Sequence, residues 1–196
     1  MTVPLTSVSD PPLRALDRLL RSWRIRKIRP YIRSGTTVLD IGCHDGALFS
    51  SLSDQISHGI GIDPTLVRSE AHGRFRFIAD TFPSDLLRSE RFDVITLLAV
   101  LEHVEPSELP RWREAFEQLL VPGGLVVATV PSPRVDQVLD VLTRFRLVAG
   151  MSIDEHHGFD ASLVPSLLSS RALELVVHRR FELGMNNLYV FKRIID

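Results

Sequence analysis

Two hydrophobic rhythms alternate along the middle of the chain. Short runs rich in β-branched and aliphatic residues fall at 37–41, 59–63, 75–79, 92–98 and 125–130, and each has the length of a strand. Between several of them lie amphipathic stretches, at 47–54, 84–88 and 107–120, with the three-to-four spacing of helices. Pro122-Gly123-Gly124 breaks the last of these and starts the fifth strand. Strand alternating with helix predicts parallel strands joined by right-handed crossovers. Val94-Ile95-Thr96-Leu97-Leu98 is apolar on both faces, as a central strand covered from each side must be.

Flanking segments extend this pattern. From residue 13 to 32, Leu13, Leu16, Leu19, Leu20, Trp23 and Ile28 recur on one side of a predicted helix, with arginines on the other. Residues 134–147 read as a further helix, and 161–169 as a short one. Two closing runs, 173–179 and 187–193, are separated by too few residues for a helical crossover, so they are expected to pair antiparallel. The expected fold is α/β: a Rossmann-like, doubly wound sheet of seven mostly parallel strands with an antiparallel C-terminal strand and helices on both faces. One domain is expected over 1–196, with an N-terminal extension and basic helix (1–34), a ligand-binding core (35–131) and a substrate-side and closing section (132–196).

Bulk properties narrow the class. A length of 196 residues suits one well-buried domain, and a net charge of −1 gives no global field to recruit nucleic acid or an acidic membrane. The single cysteine, Cys43, forms no internal disulfide and suits a reducing compartment. Met1–Ser7 lacks the charged and apolar regions of a secretion signal, and no apolar run reaches the ~20 residues of a membrane span. A cytoplasmic location is the expectation.

The chemistry is expected at the C-terminal ends of the strands. Val38-Leu39-Asp40-Ile41-Gly42-Cys43-His44-Asp45-Gly46 reads as a buried strand, a tight glycine turn and the start of a helix. Such a junction is expected to point free backbone N–H groups and the positive end of a helix dipole at a ligand. Asp63, followed by Pro64, ends the second strand about 20 residues on, where a carboxylate suits a ribose diol. Asp80, followed by Thr81, ends the third and suits an exocyclic amine such as adenine N6. Each acid alone is equally at home as a turn former or helix cap. A dinucleotide loop fits poorly. It needs glycine at the first, third and sixth positions, and from Gly42 this chain offers Gly42, His44 and Ala47. A phosphate loop would also gain nothing from Asp40.

Residues 38–46 resemble motif I of the class I S-adenosylmethionine-dependent methyltransferases, an acid-x-Gly-x-Gly-x-Gly loop. Gly59-Ile60-Gly61-Ile62-Asp63, Phe77-Ile78-Ala79-Asp80, the stretch from Phe92 to Val104 and Leu120-Val121-Pro122-Gly123-Gly124 are similar to the following motifs of its quinone-biosynthesis-like, small-molecule branch. The resemblance covers about residues 36–131. It implies S-adenosyl-L-methionine as cofactor, with Asp40, Gly42, Cys43 and Gly46 at its methionine portion. It further implies Asp63 and Pro64 at the ribose, Asp80 and Thr81 at the adenine, and Leu98 as a backbone or packing contact. His44 departs from the pattern by standing where the family has its middle glycine; its side chain must turn away from the cofactor or touch it.

The implied reaction is methyl transfer to a small acceptor, at oxygen or nitrogen rather than carbon. A hydroxyl acceptor needs a base, and His103, His156 and His157 are the candidates near neutral pH. His103 also reads as the structural start of a helix. A metal site on Asp154, Glu155, His156 and His157 is not expected, because adjacent side chains point apart. Strand four lacks an Asn/Asp-Pro-Pro-Tyr/Phe ending, and the only cysteine lies in the cofactor loop, which disfavours nucleic-acid base methylation. Residues 14–33 hold eight cations and one acid. This reads as a solvated helix face or as a dock for an anionic acceptor. The competing function class is a noncatalytic S-adenosylmethionine-binding or RNA-interacting module on the same fold.

Overall fold

A computed structural model describes residues 15–132 and 160–194. Its centre is one eight-stranded sheet in the order β3-β4-β2-β1-β5-β6-β8-β7. The strands are β1 (Thr36–Ile41), β2 (Ile56–Ile62), β3 (Glu70–His72), β4 (Phe75–Ile78), β5 (Phe92–Leu98), β6 (Leu120–Pro131), β7 (Leu173–Phe181) and β8 (Asn186–Arg193). The helices are α1 (Ala15–Ile28), α2 (Ala47–Ser51), α3 (Leu109–Leu119) and α4 (Val164–Leu168). Strands β4, β2, β1, β5 and β6 run parallel; β8 lies antiparallel beside β6, and β7, antiparallel to β8, runs in the direction of the parallel strands again. The five internal strands and both closing strands therefore lie where the hydrophobic pattern puts them.

The eighth strand, β3, is a three-residue edge ribbon antiparallel to β4. Its sequence, Glu-Ala-His, carries no apolar alternation, so the sheet is one strand wider than the seven expected. Strand β6 starts at Leu120 rather than after the glycines. Phe92 pairs with Leu120 and Val94 with Leu125, so Val121–Gly124 bulges out between two paired positions. The predicted helix at 84–88 is a single 3-10 turn, Asp85–Leu87, capped by Ser84. The helix expected at 134–147 lies outside the described residues.

Two apolar layers sandwich the sheet. Trp112 and Phe116 of α3, with Leu168 of α4, pack on one face against Ile95, Leu97 and Phe191. Ile25 and Ile28 of α1, with Phe49 of α2, pack on the other against Val38, Val94, Val127 and Val190. The buried stripe of α1 differs in part from the expected one: Ile28 is covered as expected, but Leu19 and Trp23 are exposed and Ile25 is covered in their place. The reason is local: α1 rests on the sheet through its last turns, which lead into the buried Ile32 and β1. At the N-terminal end of the sheet, β1 and β5 are clasped by side chains. Asp93 Oδ2 accepts from Thr37 N–H (2.7 Å) and Thr37 Oγ1 (2.6 Å), and Thr37 Oγ1 accepts from Asp93 N–H. Strand order reverses beside β1, whose neighbours are β2 and β5, so the crevice at its C-terminal end is where a ligand is expected.

Candidate active site

β1 ends at that crevice, and the loop after it makes three left-handed turns in five residues. Gly42, His44 and Gly46 have φ of +73°, +47° and +71°. Glycine takes this conformation freely, whereas a side chain costs about 1–2 kcal/mol there. The middle position of the loop thus keeps a glycine-like backbone although it carries an imidazole. His44 is held there by its N–H, which donates to Asp63 Oδ2 at 2.8 Å.

Most backbone N–H groups of the loop are taken up within the protein rather than left free as the sequence suggested. Gly42 and Cys43 donate to Ile62 O, Gly46 to Cys43 O, and Ala47 to Asp45 Oδ1. Helix α2 is only five residues long, and its first amide is capped from within the loop. What gathers around the loop instead is carboxylate. Asp40, Asp45 and Asp63 lie close enough for the charges of Asp45 and Asp63 to act on Asp40.

Each acid has a distinct environment. Asp40 is buried, and Thr96 Oγ1 donates to it at 2.6 Å. Burial pushes its pKa from 3.8 to about 7, the Thr96 hydrogen bond opposing and the neighbouring aspartates adding to the rise. It bonds across to β5 rather than to the loop. Burial also raises Asp45, but His44 and the Arg21 guanidinium, at 2.6 Å, outweigh it and hold the group at about 2. The Asp45 carboxylate in turn raises His44, whose Nδ1 lies 3.9 Å away, against a smaller opposing effect of burial. Burial drives the Cys43 thiol far upward, so this cysteine is no nucleophile. Asp63 Oδ1 accepts from Thr65 N–H (2.8 Å) and Thr65 Oγ1 (2.6 Å). Three of its roughly four acceptor positions are therefore used by the protein. Pro64, next in the chain, leads the backbone out of β2 into that turn.

Asp80 sits half-buried after β4. It accepts from Ser84 Oγ at 2.6 Å and from Thr81 N–H at 2.8 Å, and these bonds lower its pKa. Thr81 itself is exposed. Leu98, at the end of β5, is half-buried in register with Thr129 of β6. Asp40, the loop, Asp63, Asp80 and Leu98 thus gather at one end of four adjacent strands. His103 lies on the exposed side of a 3-10 turn, Leu101–His103, just beyond β5. His156 and His157 lie outside the described residues.

Several participants were missed by sequence reasoning. Glu102 is buried beside His103, and its Oε2 has no hydrogen-bond partner among the described residues. Burial lifts its pKa to about 7, against its own backbone hydrogen bond and the charge of Arg24. Thr96 and Arg21, which fix Asp40 and Asp45, come from β5 and α1. Only the rarity of a polar residue inside an apolar central strand pointed to Thr96.

A family model described as a methyltransferase domain matches residues 13–180. The chain belongs to this methyltransferase domain family. The resemblance read from the motifs of residues 36–131 is thereby confirmed. Among curated relatives, the ubiquinone biosynthesis O-methyltransferase of Psychrobacter cryohalolentis is 26% identical over 172 residues, covering 82% of this chain and 66% of that protein. Its counterpart in Paraburkholderia phytofirmans is 29% identical over 154 residues, covering 72% and 65%. The chain spans about two thirds of the length of these relatives. Among solved structures, the N-methyltransferase NodS of Bradyrhizobium japonicum superposes with a TM-score of 0.60 at 20% identity, covering 91% of this chain and 99% of that one. Magnesium protoporphyrin IX methyltransferase of Synechocystis, solved with bound S-adenosylhomocysteine, gives 0.64 at 15%, covering 94% and 90%. These two likenesses carry the fold of the methyltransferase domain. No helix among the described residues is long and apolar enough to cross a membrane.

Proposed function

We propose that this methyltransferase domain transfers a methyl group from S-adenosyl-L-methionine to a small-molecule acceptor, at oxygen or nitrogen. The observation that carries the reading is the sign of the crevice. Most of its loop amides are taken up within the protein, and Asp40, Asp45 and Asp63 gather beside the loop. A pyrophosphate would find few free loop amides there, whereas the ammonium and sulfonium of a methyl donor would find carboxylates nearby. The residues present therefore fit the family's cofactor. Asp40, Gly42, Cys43, His44 and Gly46 would line its methionine portion, and Asp63 with Pro64 its ribose, through the one acceptor position left on the carboxylate. Asp80 with Thr81 would hold the adenine, and Leu98 would pack against it.

When bound, the cofactor supplies a methyl group on a sulfonium, which is already a good leaving group. The protein's part is to align the acceptor, an effect worth up to about 7–11 kcal/mol. A hydroxyl acceptor also requires a proton acceptor. Glu102, lifted to about 7 by burial, joins His103, His156 and His157 in that role. The ubiquinone biosynthesis O-methyltransferase relatives favour a hydroxyl over an amine. The single-domain division at residues 34 and 131, an anionic acceptor and a cytoplasmic location belong to the same reading.

The test is transfer of a labelled methyl group from S-adenosylmethionine to panels of hydroxylated aromatic compounds and primary amines, with Glu102→Gln, His103→Ala, His156→Ala and His157→Ala measured separately. Acceptor-dependent S-adenosylhomocysteine release, reduced by at least one of these substitutions, is the expected result. Binding of S-adenosylhomocysteine without turnover on any acceptor would favour the noncatalytic module instead.

A further inference from the structure

A second concave site lies away from the cofactor crevice, between the end of α1 and the β7–β8 edge of the sheet. It encloses about 330 Å³ and is lined by Arg26, Lys27, Pro30, Tyr31, Arg179, Arg180, Phe181 and Leu188. That volume lies within the range of small-molecule sites, about 300–1,000 Å³. Arg179 shares a cross-strand row with Leu188, Thr129 and Leu98. Three strand spacings of about 4.8 Å separate it from Leu98, roughly 14 Å, so the cleft is distinct from the cofactor site.

Four cations line this cleft, two from the end of α1 and two from β7, and no carboxylate of the described residues does; Arg179 shares the α1 face of the sheet with Leu188 and Phe181, while Arg180, next along the strand, starts from the opposite face. None of the four forms a salt bridge with a carboxylate among the described residues; Glu182, next to Phe181, feels the charge of Lys27 but is tied to Asn186. Basic residues in the last turn of a helix complement its dipole, which accounts for Arg26 and Lys27. Cations on an edge strand discourage sheet-to-sheet pairing, which accounts for Arg179 and Arg180. Neither effect requires Arg179 to share a hollow with Arg26 and Lys27, nor that hollow to be lined by two aromatic residues.

We infer that this cleft binds a small organic phosphate, Arg26, Lys27 and Arg179 taking a phosphate or diphosphate group, with Arg180 adding charge from the sheet edge, and Tyr31 and Phe181 meeting its planar or apolar part. Guanidinium groups suit phosphate through paired N–H donors. The volume of the cleft suits a small molecule better than a long polyanion, which would need an extended groove.

The experiment is calorimetric titration of the whole chain, its cofactor site saturated with S-adenosylhomocysteine, using sodium pyrophosphate and uridine diphosphate. Both should bind, uridine diphosphate more tightly, with affinity falling as salt rises. Arg179→Ala/Arg180→Ala and Arg26→Ala/Lys27→Ala should each weaken binding about tenfold or more, as expected for lost charge-assisted hydrogen bonds. Arg111→Ala, on exposed α3, should not. Because the alanine pairs also alter packing, Arg179→Lys/Arg180→Lys serves as the charge-preserving control and should retain most of the pyrophosphate affinity, with an unchanged melting temperature. Absence of binding at millimolar probe, or equal affinity in the alanine pairs, overturns the inference. So does binding of a 20-nucleotide RNA or of phosphatidylglycerol vesicles without binding of either small probe, which would make the face a surface for an extended polyanion.

Discussion

Gly42→Ala isolates the stereochemistry of the cofactor loop. A Cβ at residue 42 would lie 2.5 Å from Val100 Cγ2, with the other Val100 side-chain carbons at 3.7 and 3.8 Å. Real carbon–carbon contacts do not occur at 2.5 Å, and the β-branched valine has few rotamers with which to retreat. Overpacking of this kind costs about 1–3 kcal/mol. The backbone φ of +73° adds about 1–2 kcal/mol for any residue with a Cβ. The sum, about 2–5 kcal/mol, is a large part of the 5–15 kcal/mol total of an ordinary domain. Urea denaturation of the wild type, Gly42→Ala, Val100→Ala and the double variant gives the four corners of a cycle. The clash component should disappear in the double variant, leaving a coupling of about 1–3 kcal/mol. The strain component should remain. A single variant within about 0.5 kcal/mol of wild type, or a cycle without coupling, would refute the close approach of loop and Val100.

Three further outcomes follow from the same geometry. Asp40 has a folded-state pKa above its unfolded value, so its contribution to stability is greatest below about pH 4, declines as pH rises to about 7, and is flat beyond. Asp40→Asn removes that decline, and its stability relative to wild type should grow across this window by up to about 4 kcal/mol, read from denaturation at pH 4, 6 and 8. Thr37→Val removes the hydroxyl that both donates to and accepts from Asp93, and should cost about 1–3 kcal/mol in chemical denaturation. Because that clasp is at the opposite end of the strands from the crevice, methyl-transfer rates at saturating cofactor should be unchanged. His44→Gly removes one of the two partners that hold Asp45 at about 2, so NMR titration should show the Asp45 carboxyl ionising at higher pH.

The parallel core was legible because buried strands of a doubly wound sheet are apolar on both faces and separated by helical spacing. Phe92–Leu98 shows this without ambiguity. The edge strand Glu70–His72 was not, since a three-residue edge ribbon buries little and follows no hydrophobic period. Leu19 and Trp23 match a helical stripe as well as Ile25 does; which face of α1 is covered depends on where its last turn enters the sheet, a tertiary fact. At the site, the positions of Asp40, Asp63 and Asp80 followed from strand ends. The direction of the loop amides did not, because it depends on Ile62 O and the Asp63 carboxylate, which arrive from β2. Glu102 escaped notice for a similar reason: a 3-10 turn directs Glu102 inward and its neighbour His103 outward, and no sequence period marks the difference.

A crevice beside these carboxylates should hold a cationic nucleoside rather than a dinucleotide. Isothermal titration of the wild-type chain with S-adenosylmethionine, and in parallel with NAD, decides between the two. One S-adenosylmethionine should bind per chain, competed by S-adenosylhomocysteine, with no binding of NAD at the same concentrations. Absence of S-adenosylmethionine binding, or equal binding of NAD, would contradict this expectation.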